Sequence, residues 1–284
     1  GHPPGAPTFQ LLARLFTLFA PSTEKVAFAV NVMSALVSAL TVMFLFWIIT
    51  YFARRLFPRD ELTTTEILTI FGAGFIGSFA YMFTDSFWFN AVEGEVYATS
   101  SFFTALVFWS MLKWEEQADD PYSYRWIIFI AFMIGLSIGV HLLNLLTVPA
   151  LVMIYYYRKY KVTWKGILIS LLLSVVLLGF FFYFLIPGLI NWAGKIEIFF
   201  VNQLGLPFNS GTIFYFALII GFLIWAIIYT HRKGKLIWNT IALSFAFLLI
   251  GYSTFLTLVI RSNAGTPINE NAPKDAPSLL SYLN

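Results

Sequence analysis

Apolar residues in this chain come in long runs rather than in alternation, and each run ends at a short segment carrying charge, Pro or Gly. Eight runs stand out, at about 26–50, 66–84, 97–112, 126–140, 142–157, 164–187, 212–230 and 237–260. The longer ones reach the roughly 20 residues that carry a helix across a bilayer core. No polar linker divides the chain between residues 26 and 260, so the pattern predicts one all-α polytopic transmembrane bundle of about eight spans. The two runs beside His141 are short, and a single kinked helix from 126 to 157 is the alternative. That alternative would invert the side of every later loop, so two spans are expected, meeting at the polar His141 and Asn144 where backbone lines protein or water rather than lipid.

Composition supports the membrane assignment: 59% of the 284 residues are apolar and 11% charged, against about a quarter charged in soluble domains. The net charge of +3 matters less than its placement. Alternate connections hold Arg54, Arg55 and Arg59, then Lys113 and Arg125, then Arg158, Lys159, Lys161 and Lys165, then Arg232, Lys233 and Lys235. The other connections hold only Arg14, Lys25, Lys195, Arg261 and Lys274. By the positive-inside rule the first set is cytoplasmic, and residues 1–25, 85–96, 188–211 and 261–284 face outward. The expected organisation is an outward segment 1–25 with an interfacial amphipathic helix over 9–19, a membrane domain 26–260, and an outward tail 261–284.

Several chemistries are excluded or set aside. With no cysteine, disulfides, thiolate metal sites and a Cys nucleophile are ruled out. No metal-ligand spacing, Ser-His-Asp pattern or basic aromatic surface is present, so no metal, no cofactor and no nucleic-acid partner is expected. Gly72, Gly74 and Gly77 in "GAGFIG" match a dinucleotide fingerprint by letter, but they lie inside an apolar run, where small residues at four-residue spacing let helices approach closely. Asp119 and Asp120 resemble part of a nucleotide-sugar metal motif, yet their cytoplasmic loop reads as charge flanking a helix.

The outward stretch "TDSFWFNAVEGEVYATSS" places Asp85, Glu93 and Glu95 among aromatic residues with no Lys or Arg beside them. Wet loop charge is one reading; carboxylates desolvated by Phe87, Trp88 and Phe89 and tuned for proton transfer is the other. Gly94 between the glutamates permits a sharp turn.

The blocks "GHPPGAPTFQLLARLF", "FWFNAVEGEVYATSSFFTALVFW", "GLSIGVHLLNLL" and "RSNAGTPINEN" together resemble the bacterial family of protein O-mannosyltransferase-like multi-spanning membrane proteins, related to a vertebrate receptor O-mannosyltransferase. The resemblance runs from residue 1 to about residue 271. It implies a glycosyltransferase of the GT-C class that takes a sugar from a polyprenyl-phosphate carrier and attaches it to exported protein at the outer face of a bacterial inner membrane. Family members carry an acidic motif just before the His-Pro-Pro segment, so the chain is read as an N-terminally truncated member whose tail leads to a further external region.

Transfer to a Ser or Thr hydroxyl needs a carboxylate to accept its proton and fixed positive charge for the departing phosphate. Glu93 and Glu95, with Asp85, are the candidate bases. Arg261 is the candidate phosphate ligand, or else an interfacial anchor, and it is expected beside the cavity of the acids. His2 is a candidate to contact phosphate or orient an acid. His141 and Asn144 are candidate substrate contacts, the competing reading for His141 being a hydrogen bond to a carbonyl freed at the helix break. Asn202, with Gln203, is a candidate contact for a sugar hydroxyl or the acceptor peptide. The rival function is a transporter or lipid-handling scaffold, or a catalytically incomplete fragment; a transporter would place ionisable residues near the midplane.

Overall fold

The computed structural model describes residues 5–266, 269 and 271–283, and among these no strand occurs. His2, Pro267 and Glu270 lie outside the described residues. The helices are α1 (Pro7–Thr17), α2 (Val26–Arg55), α3 (Thr64–Met82), α4 (Asp85–Val92), α5 (Val96–Glu116), α6 (Tyr124–Ile138), α7 (Val148–Lys159), α8 (Trp164–Gly179), α9 (Ile186–Asn202), α10 (Ser210–Arg232), α11 (Leu236–Tyr252), α12 (Leu256–Asn263) and α13 (Ala276–Leu283). This is an all-α polytopic helical fold.

Helices occupy all eight apolar runs, but five stretches among the described residues are long and apolar enough to cross a membrane: Thr23–Arg55, Thr64–Met82, Trp164–Asn202, Ser210–Arg232 and Leu236–Asn263. The expected count of eight exceeds this for physical reasons. Helix α5 is diluted by Thr99, Ser100, Ser101, Thr104 and Ser110, α6 has 15 residues, and α7 has 12. The outer surfaces of α8 and α10 carry exposed Leu, Ile, Val, Phe and Trp side chains, which suit a lipid surround rather than water.

Two boundaries differ from the sequence reading. The segment after Pro187 is helical: α8 and α9 join through a π turn at Phe180–Leu185, and Pro187 falls in the first turn of α9. Proline removes a ladder N–H, which the wider π turn accommodates without ending the helix. The acidic stretch is likewise not a plain loop, because Asp85–Val92 forms α4.

Glycines set the closest packing. A Cβ at Gly74 would lie 2.7 Å from Phe46 and one at Gly77 2.6 Å from Ile49, so "GAGFIG" is the face of α3 that meets α2. Helices α6 and α11 come closer still: a Cβ at Gly135 would sit 2.2 Å from the Leu248 carbonyl oxygen, and Gly251 faces the backbone of α6. Around this crossing the buried core gathers Ile134, Ile138, Leu145, Leu185, Leu248 and Tyr252, joined by Leu279 and Tyr282 of α13. The tail therefore folds back on the bundle, where α13 packs against α9.

The bundle has two chemically distinct ends. Near the carboxy-terminal end of α2, Glu115 receives Tyr51 and Arg55, while Arg158 and Lys159 pair with Asp119. Hydrogen bonds from Arg158, then from Lys159, hold the Asp119 carboxyl below its ordinary pKa. Asp119 is thus an ion-pair partner rather than loose flanking charge. At the amino-terminal end of α2, Gly94 rests on Val30 and Asn31. Helix α1 closes the neighbouring surface, its Thr8 N–H donating to the Gly139 carbonyl at 2.8 Å and its Thr8 hydroxyl to Thr254 at 2.9 Å.

Candidate functional site

Most of the residues singled out by sequence gather at the amino-terminal end of α2. Asp85 opens α4, where a carboxylate suits the helix dipole, and is exposed. Glu93 follows the last residue of α4 and is half-buried, and Glu95 directly precedes α5 and is exposed. The expected desolvation by neighbouring rings is therefore absent at Asp85 and Glu95. Trp88 and Phe89 point outward, 53% and 63% exposed. Gly94 has no positive φ; its role is close approach, since a Cβ would lie 3.0 Å from Val30 and 3.3 Å from the Asn31 amide oxygen. The absence of a side chain lets the acidic junction lie directly against α2.

The break between α6 and α7 lies beside this junction. After Gly139 the chain leaves the helix, turns at His141 and continues as a 3₁₀ segment, Leu142–Thr147. The His141 ring lies 5.4 Å from that of Tyr97, two residues beyond Glu95. Its Nδ1 accepts from the Leu143 N–H at 3.1 Å, so it caps the 3₁₀ segment instead of donating to a freed carbonyl. Burial lowers its pKa. Asn144 is buried, and its Oδ1 accepts from Ser100 at 2.9 Å and Thr104 at 2.7 Å. It fastens the break to α5. Its Nδ2 is buried without a hydrogen-bond partner among the described residues, which leaves both of its N–H donors unmet beside Ser100 and Thr104.

Arg261 is exposed in the last turn of α12 and lines a cleft of about 410 Å³ with Pro7, Gln10, Leu11, Arg14 and Thr257. Two guanidinium groups from distant parts of the chain thus share one cleft. None of the three acids lines it, so the expected shared cavity of Arg261 with Glu93 and Glu95 is not formed by this cleft; α1, which lines it, is tied by Thr8 to Gly139 beside the His141 break. Asn202 and Gln203 are exposed where α9 ends, apart from these contacts.

Arg14 was read only as part of an amphipathic helix, because its partner lies at the far end of the sequence. Glu197 was also missed: it is 2% exposed and accepts from the backbone of Asn209 and from the Thr212 N–H and hydroxyl. It caps α10, where free N–H groups attract a carboxylate, and this use of the acid is structural.

The fold and this end of it define a multi-pass helical membrane protein with a polar site where the amino-terminal helix closes the bundle. The chain belongs to the family described as "Protein O-mannosyl-transferase TMEM260 N-terminal domain", whose family model matches residues 1–164. The match spans α1 to α7, including Arg14, the three acids, His141 and Asn144; Asn202 and Arg261 lie beyond it. No curated protein and no solved structure matches the chain.

Proposed function

We propose that the chain forms the membrane part of a glycosyltransferase that moves a mannose-like sugar from a polyprenyl-phosphate carrier to Ser or Thr of exported proteins. The family assignment supports sugar transfer to protein. The observation that carries the donor assignment is the Arg14–Arg261 cleft. A lipid phosphate needs positive charge that is fixed before the reaction, and guanidinium groups match phosphate oxygens in geometry as well as charge.

In the proposed reaction the acceptor hydroxyl oxygen attacks the anomeric carbon and the bond from that carbon to the phosphate oxygen breaks. The electron pair leaves with the lipid phosphate, held by Arg14 and Arg261. The hydroxyl proton passes to a carboxylate at the α4–α5 junction, Glu93 being first choice because it is less exposed than Glu95. Asp85, at the exposed start of α4, is the weaker candidate. We assign His141 and Asn144 to contact with the sugar or acceptor, Asn202 to a sugar hydroxyl or the acceptor peptide, and His2 to a further phosphate contact. The basic loops mark the cytoplasmic side, so this end faces outward, periplasmic in a bacterial inner membrane.

Binding of polyprenyl-phosphate mannose to the reconstituted protein tests the cleft. A hydrogen bond to a charged group is worth about 1.5–3 kcal/mol, so Arg14→Gln and Arg261→Gln should each weaken donor binding about tenfold or more. Unchanged donor affinity in both variants would remove the phosphate role and leave Arg261 an interfacial anchor.

A further inference from the structure

At the opposite end of the bundle, the hairpin of α10 and α11 carries two apolar grooves separated by a ridge. The ridge is Trp225 and Tyr229, whose rings stack at 5.4 Å with an interplanar angle of 14°. On one side a groove of about 380 Å³ runs past Phe222, Ala226 and Phe245 and has Lys235 in its lining. On the other a groove of about 460 Å³ runs past Gly221 and Ile224 and has Arg232 and Lys233 in its lining. The ammonium of Lys235 lies 5.5 Å from the centroid of the Tyr229 ring, which keeps its charge over the ridge.

These cations differ from five of those in the neighbouring loops. Arg55, Arg59, Lys113, Arg158 and Lys159 are each paired with Glu115, Glu66, Glu116 or Asp119. Among the described residues no ion pair involves Arg232, Lys233 or Lys235. The sequence offers none locally, since Asp and Glu are absent from residue 198 to residue 269. Three cations thus crown a pair of apolar grooves with an aromatic ridge between them.

We propose that this hairpin is a binding site for one anionic diacyl phospholipid, its two chains lying in the two grooves and its phosphate over the Trp225–Tyr229 ridge. Lys235 reaches the headgroup from one side and Arg232 and Lys233 from the other. Charge complementarity selects an anionic headgroup, and the paired grooves select two chains over one. The site is independent of the transferase reading, since it shares no residue with the outer end.

The test is lipid retention on the intact protein, measured by native mass spectrometry after purification with phosphatidylglycerol or phosphatidylcholine. Each basic residue near an anionic surface strengthens attraction by about 1 kcal/mol, about fivefold, so Arg232→Gln with Lys233→Gln should reduce phosphatidylglycerol retention by about 25-fold. Removing the same charge by Lys161→Gln with Lys165→Gln should leave it unchanged, as should competition by inorganic phosphate. Arg232→Lys should retain the lipid. Equal loss in the two double variants, equal retention of phosphatidylcholine, or displacement by inorganic phosphate would each overturn the site, because the first would indicate general surface attraction, the second a groove blind to charge, and the third a plain anion site.

Discussion

Burial lowers the His141 pKa, and acceptance of the Leu143 N–H by Nδ1 leaves the ring neutral with its proton on Nε2. The unfolded chain protonates near the ordinary imidazole value of about 6.5, before the folded one does. Stability from this group is therefore fully present above that pH and is lost as pH falls toward the folded pKa. Thermal unfolding in detergent at pH 7.5 and pH 5.5 should show a drop for the wild type that is smaller in His141→Asn, which keeps an acceptor for Leu143. The same drop in both proteins would show that His141 does not carry the pH dependence. That His141 and Asn144 mark a break was readable from two polar residues between short apolar runs. Their bonds were not: Ser100 and Thr104 lie some forty positions away from Asn144, and no local pattern announces such a contact. The same holds for Glu197, whose partners Asn209 and Thr212 lie on the far side of a turn, across the start of α10.

Helices in this bundle pack where glycine removes a side chain, and the effect differs from site to site. At Gly135 a Cβ would collide with the backbone of α11, whereas at Gly72 it would meet open space. Gly135→Ala should destabilise by about 1–3 kcal/mol, the usual cost of forcing atoms into a filled contact. Gly72→Ala should be neutral or stabilising by up to about 1 kcal/mol through helix propensity. Thermal stability of the two variants in the same detergent checks this, and equal loss would contradict the close α6–α11 crossing. The α3 contact was foreseeable because its small residues recur at four-residue spacing within one run. The α6–α11 contact was hidden, since each helix contributes a single glycine and the two are far apart in the chain. Short helices escaped notice for a related reason: α4 and α13 have 8 residues each, too few to show a period, and they are stabilised by packing rather than by their own sequence.

At the scale of the molecule, the alternation of apolar runs and charged connections was enough to foresee an all-helical membrane bundle, because burial in lipid leaves the backbone few other ways to satisfy its hydrogen bonds. Span number was less accessible, since α5, α6 and α7 trade length or apolarity for packing against neighbours. The two ends now differ in kind: one is knitted by ion pairs around Glu115 and Asp119, the other presents acids without an ion pair among the described residues, a histidine whose pKa burial lowers, and a cleft with two arginines. Such a division suits a protein that performs chemistry at one face and is anchored at the other. The central claim is sugar transfer from a lipid phosphate to protein at the acidic end. The most direct measurement is incorporation of labelled mannose from polyprenyl-phosphate mannose into a Ser/Thr-containing acceptor peptide by the reconstituted intact protein, compared with Glu93→Gln and Glu95→Gln. Loss of a positioned general base removes about 10²–10⁴-fold of rate, so one of these variants should fall by at least that lower figure while donor binding stays near wild type; wild-type transfer in both variants, or no transfer by the intact protein with donor bound, would contradict it.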